Sequence, residues 1–203
     1  MTIYQYIMNI IKQLFFNIID KQNTISTSID NRKKLFLYVQ SLSYQINWLT
    51  KSEQVIEAGA GYCVSKHRLL KELLCEMWIE SNLCFVPFCF GDVSLPKHLQ
   101  GRGMALKKWY HVFLQCNING NLIFLDASFG MAFSKIYQTS ILRDWVHSMI
   151  PFWWPYNEIT ICKNKDDEKH AKEKFTKNTT LDTEDKKRIE EFNKRSFSIS
   201  SNT

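Results

Sequence analysis

The sequence predicts an α+β domain in which helices come first and an antiparallel sheet follows. Three observations predict it. Apolar residues recur at helical spacing through 1–80. From position 83 onward the apolar runs are short and rich in branched and aromatic residues. Two of these runs, 109–118 and 121–127, flank Asn119-Gly120, the strongest short hairpin signal. Helices segregated from an antiparallel sheet define this class.

Ile3, Ile7, Ile10, Leu14 and Ile18 recur at helical spacing and predict a packed amphipathic helix over 1–20. The segment has no basic leading region and no small-residue cleavage site, so it does not read as a signal peptide. Contact of this helix with a membrane surface is the lesser alternative. No run reaches the ~20 apolar residues that span a bilayer. A polar break at 21–28 ends the helix. Asp30 can cap a second helix over 31–45, with Leu35, Leu37, Tyr38, Leu42 and Tyr44 apolar. Ser52 caps a short helix over 53–57, and Gly59 and Gly61 follow as terminators. The next helix is expected over 63–80, with Leu69, Leu70, Leu73, Leu74, Met77 and Trp78 as its core stripe.

The run 83–90 reads as a buried strand, and 91–108, with Pro96, Gly101 and Gly103, as a long loop. The hairpin of 109–118 and 121–127 follows. The stretch 128–161 is aromatic, and Phe152-Trp153-Trp154-Pro155-Tyr156 reads as a buried lock under the sheet, with an exposed binding patch for a protein or membrane partner as the alternative. From 163 the chain is charged, with eleven Lys/Arg against nine Asp/Glu, and a mobile or partner-docked tail is expected. The expected organisation is an N-terminal helix and linker (1–28), one domain (29–162) and a tail (163–203).

A chain of 203 residues is long enough to bury roughly 70% of its unfolded surface without staples. A hydrophobic share of 45% and an aromatic share of 14% fit a globular protein. The net charge of +6 is spread widely, with no basic block that argues for nucleic acid. None of the six cysteines forms a Cys-x-x-Cys pair or shows zinc spacing. A reducing compartment, the cytoplasm, is the simplest expectation. No metal or organic cofactor is expected, and the oligomeric state is not readable.

Cys63 follows Gly59-Ala60-Gly61-Tyr62 at the start of the expected helix. Unpaired N–H groups and the partial positive charge of a helix start favour thiolate, the nucleophilic form. A two-residue turn at Asn119-Gly120 makes Ile118 pair with Asn121, which puts Phe113 opposite Asp126. His111 and Phe113 share a face, so His111 and Asp126 are diagonal neighbours on one side of the sheet. A slip of one residue would separate them. Cys63, His111 and Asp126 thus read as nucleophile, proton carrier and orienting carboxylate. The Cys63 N–H can face an oxyanion, and Trp48, Asn47 or Gln45 are candidates for the second donor. His67, one turn after Cys63, is a rival base with nothing obvious to orient it, and Lys66 offers electrostatic help to a thiolate. Lys97, His98 and Arg102 in the long loop are candidates for substrate contact, suited to a polar or acidic substrate.

The stretch from Ser52 through Glu57-Ala58-Gly59-Ala60-Gly61-Tyr62-Cys63-Val64-Ser65-Lys66 resembles the nucleophile region of the transglutaminase-like superfamily. Trp109-Tyr110-His111 and Leu125-Asp126-Ala127-Ser128 are similar to the strands that carry the family's histidine and aspartate, and 90–99 resembles a loop of bacterial members. The resemblance covers about half the chain. It implies a papain-like α+β core, a Cys63–His111–Asp126 triad, and cysteine-dependent acyl transfer or hydrolysis on a protein or peptide amide. It does not choose between transglutaminase, deamidase and peptidase. The alternative reading is a catalytically inactive member of this fold acting as a protein-interaction module.

Overall fold

A computed structural model describes residues 3–20, 28–88, 109–118, 120–128 and 158–176, together with positions 183, 186, 187, 189, 190 and 193. Helices α1 (Ile3–Asp20) and α2 (Ser28–Ser41) come first, then strand β1 (Ser43–Tyr44), helix α3 (Ser52–Ala58) and strand β2 (Ala60–Gly61). Helix α4 (Cys63–Cys75) leads to strands β3 (Ser81–Phe88), β4 (Trp109–Ile118), β5 (Asn121–Leu125) and β6 (Thr160–Cys162), and helix α5 (Lys165–Thr176) follows. The architecture is α+β.

β1 and β2 form a two-residue parallel ladder, and the other strands form one antiparallel sheet in the order β5-β4-β3-β6. Ile118 pairs with Asn121, the register that the Asn-Gly turn demands, and Gly120 takes φ 82. Residues 110–114 of β4 are all buried, so both faces of that strand are covered. α4 and α5 both pack against β3 and β4. The core includes Leu35, Phe36 and Val39 of α2, Leu69, Leu70, Leu73 and Leu74 of α4, and Phe85, Val112 and Phe113 of the sheet.

Several elements differ from the sequence reading. α2 stops at Ser41, and Tyr44 leaves the helix for β1. Leu37, placed on the apolar stripe, is 39% exposed, while Phe36 is buried. α4 ends five residues early. Trp78 takes φ 59 in the left-handed region, its N–H bonds to Cys75 O, and the Ile79 N–H reaches back to Leu74 O. This paired closure ends a helix by turning the chain inward at the next residue. It leaves Trp78 96% exposed instead of in the core. In α1 the buried residue is Ile11, with Leu14, Phe15 and Ile18 packed beside it; the side chains of Ile3, Ile7 and Ile10 lie outside the described residues.

The break expected at 28 does not isolate α1, which packs on α2 and α4. Nor does the chain beyond 162 stand wholly apart. α5 buries Ala171 in the shared core, and Arg68 of α4 pairs with Glu168 at 2.5 Å. Three acidic residues in the first turn of α5 (Asp166, Asp167 and Glu168) and Asn164, which accepts the Asp166 and Asp167 N–H groups, start this helix. The aromatic stretch 152–156 lies outside the described residues. No helix among the described residues is long and apolar enough to cross a membrane.

Candidate active site

Cys63 is positioned by three local devices. Gly59 closes α3 in the left-handed region at φ 58, which only glycine adopts without strain. The chain then runs as β2 beside β1, with the Ser43 N–H bonded to Gly59 O and the Gln45 N–H to Gly61 O. At Gly61 a Cβ would sit 2.7 Å from Ser65 Oγ and 3.3 Å from Val55 Cγ1, so the turn into α4 has no room for a side chain. The Ser65 hydroxyl accepts the Tyr62 N–H at 3.1 Å and tightens that turn. Tyr62 itself, at the helix start, supplies no side-chain cap. Cys63 opens the helix and is 3% exposed.

β4 and the end of β5 bring the other two residues to the same place. His111 Nε2 lies 2.8 Å from Asp126 Oδ2. Cys63 also acts on this ring, as one of the causes that raise its pKa. The second Asp126 oxygen accepts the Ser128 N–H at 2.9 Å, an aspartate-turn contact that fixes the carboxylate. Burial alone would lower the His111 pKa, but the adjoining Asp126 carboxylate outweighs it and raises the imidazole to about 9. Burial likewise works against the ionised Asp126, yet the His111 charge and hydrogen bond hold its carboxyl far below the usual range. The arrangement is a buried histidine–carboxylate pair in the same core as a cysteine that opens a helix.

His67 is not an alternative base. Its Nε2 accepts the Ala127 N–H at 2.8 Å, so the proton sits on Nδ1, which donates to Cys63 O at 2.7 Å. Both nitrogens are spent tying α4 to the chain after Asp126. The 3.5 Å approach of Nε2 to Asp126 Oδ1 is therefore not an ion pair, because that nitrogen carries no proton. Burial depresses His67 to about 4. The folded chain keeps it neutral at pH values where the unfolded chain protonates it, so stability falls as pH drops from 6.5 toward 4. We expect the wild type to lose about 1 kcal/mol between pH 7 and pH 5 in urea unfolding, the His67 loss of about 2 kcal/mol being offset in part by His111. His67→Gln, which keeps an acceptor for Ala127, should abolish that loss; equal slopes would refute the assignment. His111 works the other way in this window: its folded pKa lies above the unfolded value, so only the unfolded state gains protons as pH falls through 6.5, and this returns a little under about 1 kcal/mol.

Two residues near the nucleophile carry roles the sequence reading did not give them. Tyr44 is buried, and the parallel ladder sets it opposite Gly61, two residues ahead of Cys63. Lys66 is fully buried, and its Nζ donates to Gln40 O (3.3 Å), Leu42 O (2.9 Å) and Ser128 O (2.8 Å). It works as a strut between the end of α2 and the turn after Asp126, with its three donors on carbonyls instead of serving a thiolate. Burial pulls it down to about 7. A lysine that falls on the inward side of α4 was the one available signal for this; nothing marked a strand as short as β1.

Of the expected oxyanion donors, Asn47 has its amide on Ala60 O (3.4 Å) and its side-chain oxygen on the Leu49 N–H (3.4 Å). Gln45 follows Tyr44 along the β1 ladder, and alternation turns it to the other side. Trp48 takes φ 57, is 46% exposed and stands edge-on to the Tyr62 ring at 5.9 Å. Lys97, His98 and Arg102 lie outside the described residues.

No protein-family model matches the sequence, and no curated protein matches it at a significant level. Among solved structures the chain is similar to one from Cytophaga hutchinsonii, provisionally described as a cysteine protease, with 18% identity and a TM-score of 0.43. The match covers 60% of this chain and 37% of that one, so this chain corresponds to well under half of that protein's length.

Proposed function

We propose that this chain is a cysteine-dependent enzyme with a papain-like, transglutaminase-like core that takes an acyl group from a protein or peptide amide onto Cys63. One observation carries the reading: His111 Nε2 is held at 2.8 Å by the buried Asp126 carboxylate, and His67 ties the residue after that carboxylate to the Cys63 carbonyl. In the proposed reaction the one proton shared by Cys63 and His111 rests on the imidazole, and the Sγ thiolate attacks the amide carbonyl carbon. The carbonyl π pair moves to oxygen and returns as the C–N bond breaks, and His111 gives its proton to the leaving amine. Water or a primary amine then attacks the thioester, with His111 again carrying the proton. Water on a side-chain amide gives deamidation, water on the backbone gives cleavage, and an amine gives transfer. Asp126 keeps Nδ1 the working nitrogen throughout. The five cysteines among the described residues are all free thiols, which fits a reducing compartment.

The test uses the full chain with Cys75→Ser and Cys89→Ser. Cys75 is the exposed competitor among the described thiols, while burial pushes Cys84 and Cys116 up to about 12 and Cys162 to about 11. Candidate proteins are incubated with enzyme and a primary amine and read by mass spectrometry, which separates amine incorporation, deamidation and cleavage. One of these three should appear and vanish in Cys63→Ala. Iodoacetamide should label Cys63 at a rate that falls in His111→Ala. Labelling elsewhere with Cys63 inert would sink the reading.

A further inference from the structure

We propose that His67 is a positioning residue of this site: by bridging the Cys63 carbonyl and the Ala127 N–H, it holds the Asp126 carboxylate on His111. Its part in the chemistry rests on the acyl-transfer reading above; its hold on the carboxylate does not. β5 and its ladder with β4 end at Leu125, so Asp126 lies one residue past the last strand pair. What fixes the carboxylate must come from outside the sheet. The Ala127 N–H and the Asp126 C=O belong to one planar peptide unit. His67 Nε2 accepts that N–H at 2.8 Å and stops the unit from turning about the Asp126 Cα–C bond. On the other side of the ring, Nδ1 donates at 2.7 Å to Cys63 O, the carbonyl one helical turn back.

An imidazole has no torsion between its two nitrogens. One rigid group therefore sets the span from the first residue of α4 to the peptide after Asp126. Lys66, beside His67 on α4, holds Ser128 O at 2.8 Å, and the Ser128 N–H meets Asp126 Oδ1 at 2.9 Å. Two consecutive residues of α4 grip the same turn, and Asp126 Oδ2 keeps its 2.8 Å approach to His111 Nε2. His67, Ala127 and Ser128 are fully buried, so an Ala127 N–H that lost its acceptor would stay unsatisfied unless its peptide turned. That turn would carry the Ser128 N–H off Oδ1 and free the carboxylate. A carboxylate orients a histidine only while its own place is locked.

His67→Gln and His67→Asn separate the two ends of the bridge. Glutamine carries its amide oxygen as many bonds from Cβ as Nε2, and can still accept the Ala127 N–H. Asparagine carries its amide nitrogen as many bonds from Cβ as Nδ1, and can reach Cys63 O but not Ala127. Each is made in the Cys75→Ser, Cys89→Ser chain and shown to be folded by urea unfolding at pH 7. Two readouts follow: the low-field proton NMR signal of the His111 Nε2–H bonded to Asp126, assigned by its loss in Asp126→Asn, and acetylation of Cys63 by p-nitrophenyl acetate, read by mass spectrometry. His67→Asn should lose or shift the signal and slow acetylation about 100-fold, while His67→Gln keeps the signal and slows acetylation less than about fivefold. A residue that served stability alone would lower the unfolding midpoint and leave the signal and the rate of the folded chain in place. Equal effects of the two variants, a wild-type signal and rate in His67→Asn, or no such signal in the wild type would each overturn the assignment. Should His67→Asn fail to fold, His67→Gln decides: a kept signal upholds the assignment and a lost one overturns it. A wild type with Cys63 inert, but with the signal following this pattern, would remove the acyl-transfer reading and leave the hold on Asp126 standing.

Discussion

Asp126→Asn should lower the rate of thioester formation by roughly three to four orders of magnitude while the chain stays folded. The amide is nearly isosteric with the carboxylate. Its oxygen can still accept the Ser128 N–H, the contact that Oδ1 makes at 2.9 Å. That choice aims the amide nitrogen at His111 Nε2, where Oδ2 now sits at 2.8 Å. An N–H facing Nε2 forces the imidazole proton onto Nδ1, the nitrogen that serves Cys63 in the proposed reaction. His111 then meets the thiol as a donor and cannot accept its proton. The loss also removes the carboxylate that holds the imidazole protonated up to about 9. Acetylation of Cys63 by p-nitrophenyl acetate, followed from pH 5 to pH 10, checks both effects. A rate within tenfold of wild type, or an unchanged pH profile, would show that Asp126 does not set the His111 tautomer.

Lys66→Met should be the most destabilising single change considered, costing about 3 kcal/mol. Methionine fills the aliphatic volume but leaves three carbonyls, Gln40 O, Leu42 O and Ser128 O, without the donors they now share. Gln40 is in the last turn of α2, where a helix carries carbonyls with no partner of its own. Each buried acceptor left unmade costs about 1–3 kcal/mol, and relief from burying an ammonium offsets part of the sum. For a chain of 203 residues the melting temperature should fall by about 10 °C. Circular dichroism melts at pH 7 decide it; a fall of less than about 2 °C would mean that water or neighbouring groups satisfy those oxygens. The fully buried position on α4 allows no simple escape of the side chain to solvent.

What the sequence showed and what it hid divide along physical lines. The hairpin register was legible because Asn119-Gly120 admits one short turn, and side-chain alternation then fixes which residues share a face. The turn into α4 was legible because Gly59 and Gly61 stand where a helix must stop and a backbone must pass close. Their two reasons differ, however: Gly59 is needed for its left-handed φ, Gly61 for the space that Ser65 Oγ occupies. β1 was hidden because two residues carry no periodicity, and a tyrosine continuing an apolar stripe reads as helix. The early end of α4 was hidden because a tryptophan in the left-handed region is rare, and no glycine marks the stop. β6 was hidden for its length, three residues whose place is set by pairing with β3. His67 looked unsupported because its partners are backbone groups, one of them 60 residues away, and backbone partners leave no mark on composition.

Asn193 adds one more contact to the segment ahead of Cys63. Asn193 accepts the Ile46 N–H at 2.9 Å and donates to Ile46 O at 3.1 Å, as a neighbouring strand would. Hydrolysis of that side-chain amide, a slow spontaneous ageing reaction of asparagine, would replace its donor with a carboxylate oxygen facing the Ile46 carbonyl. A preparation stored long enough to lose that one nitrogen would then carry a defect two residues from Tyr44, written by time alone with no change in its gene.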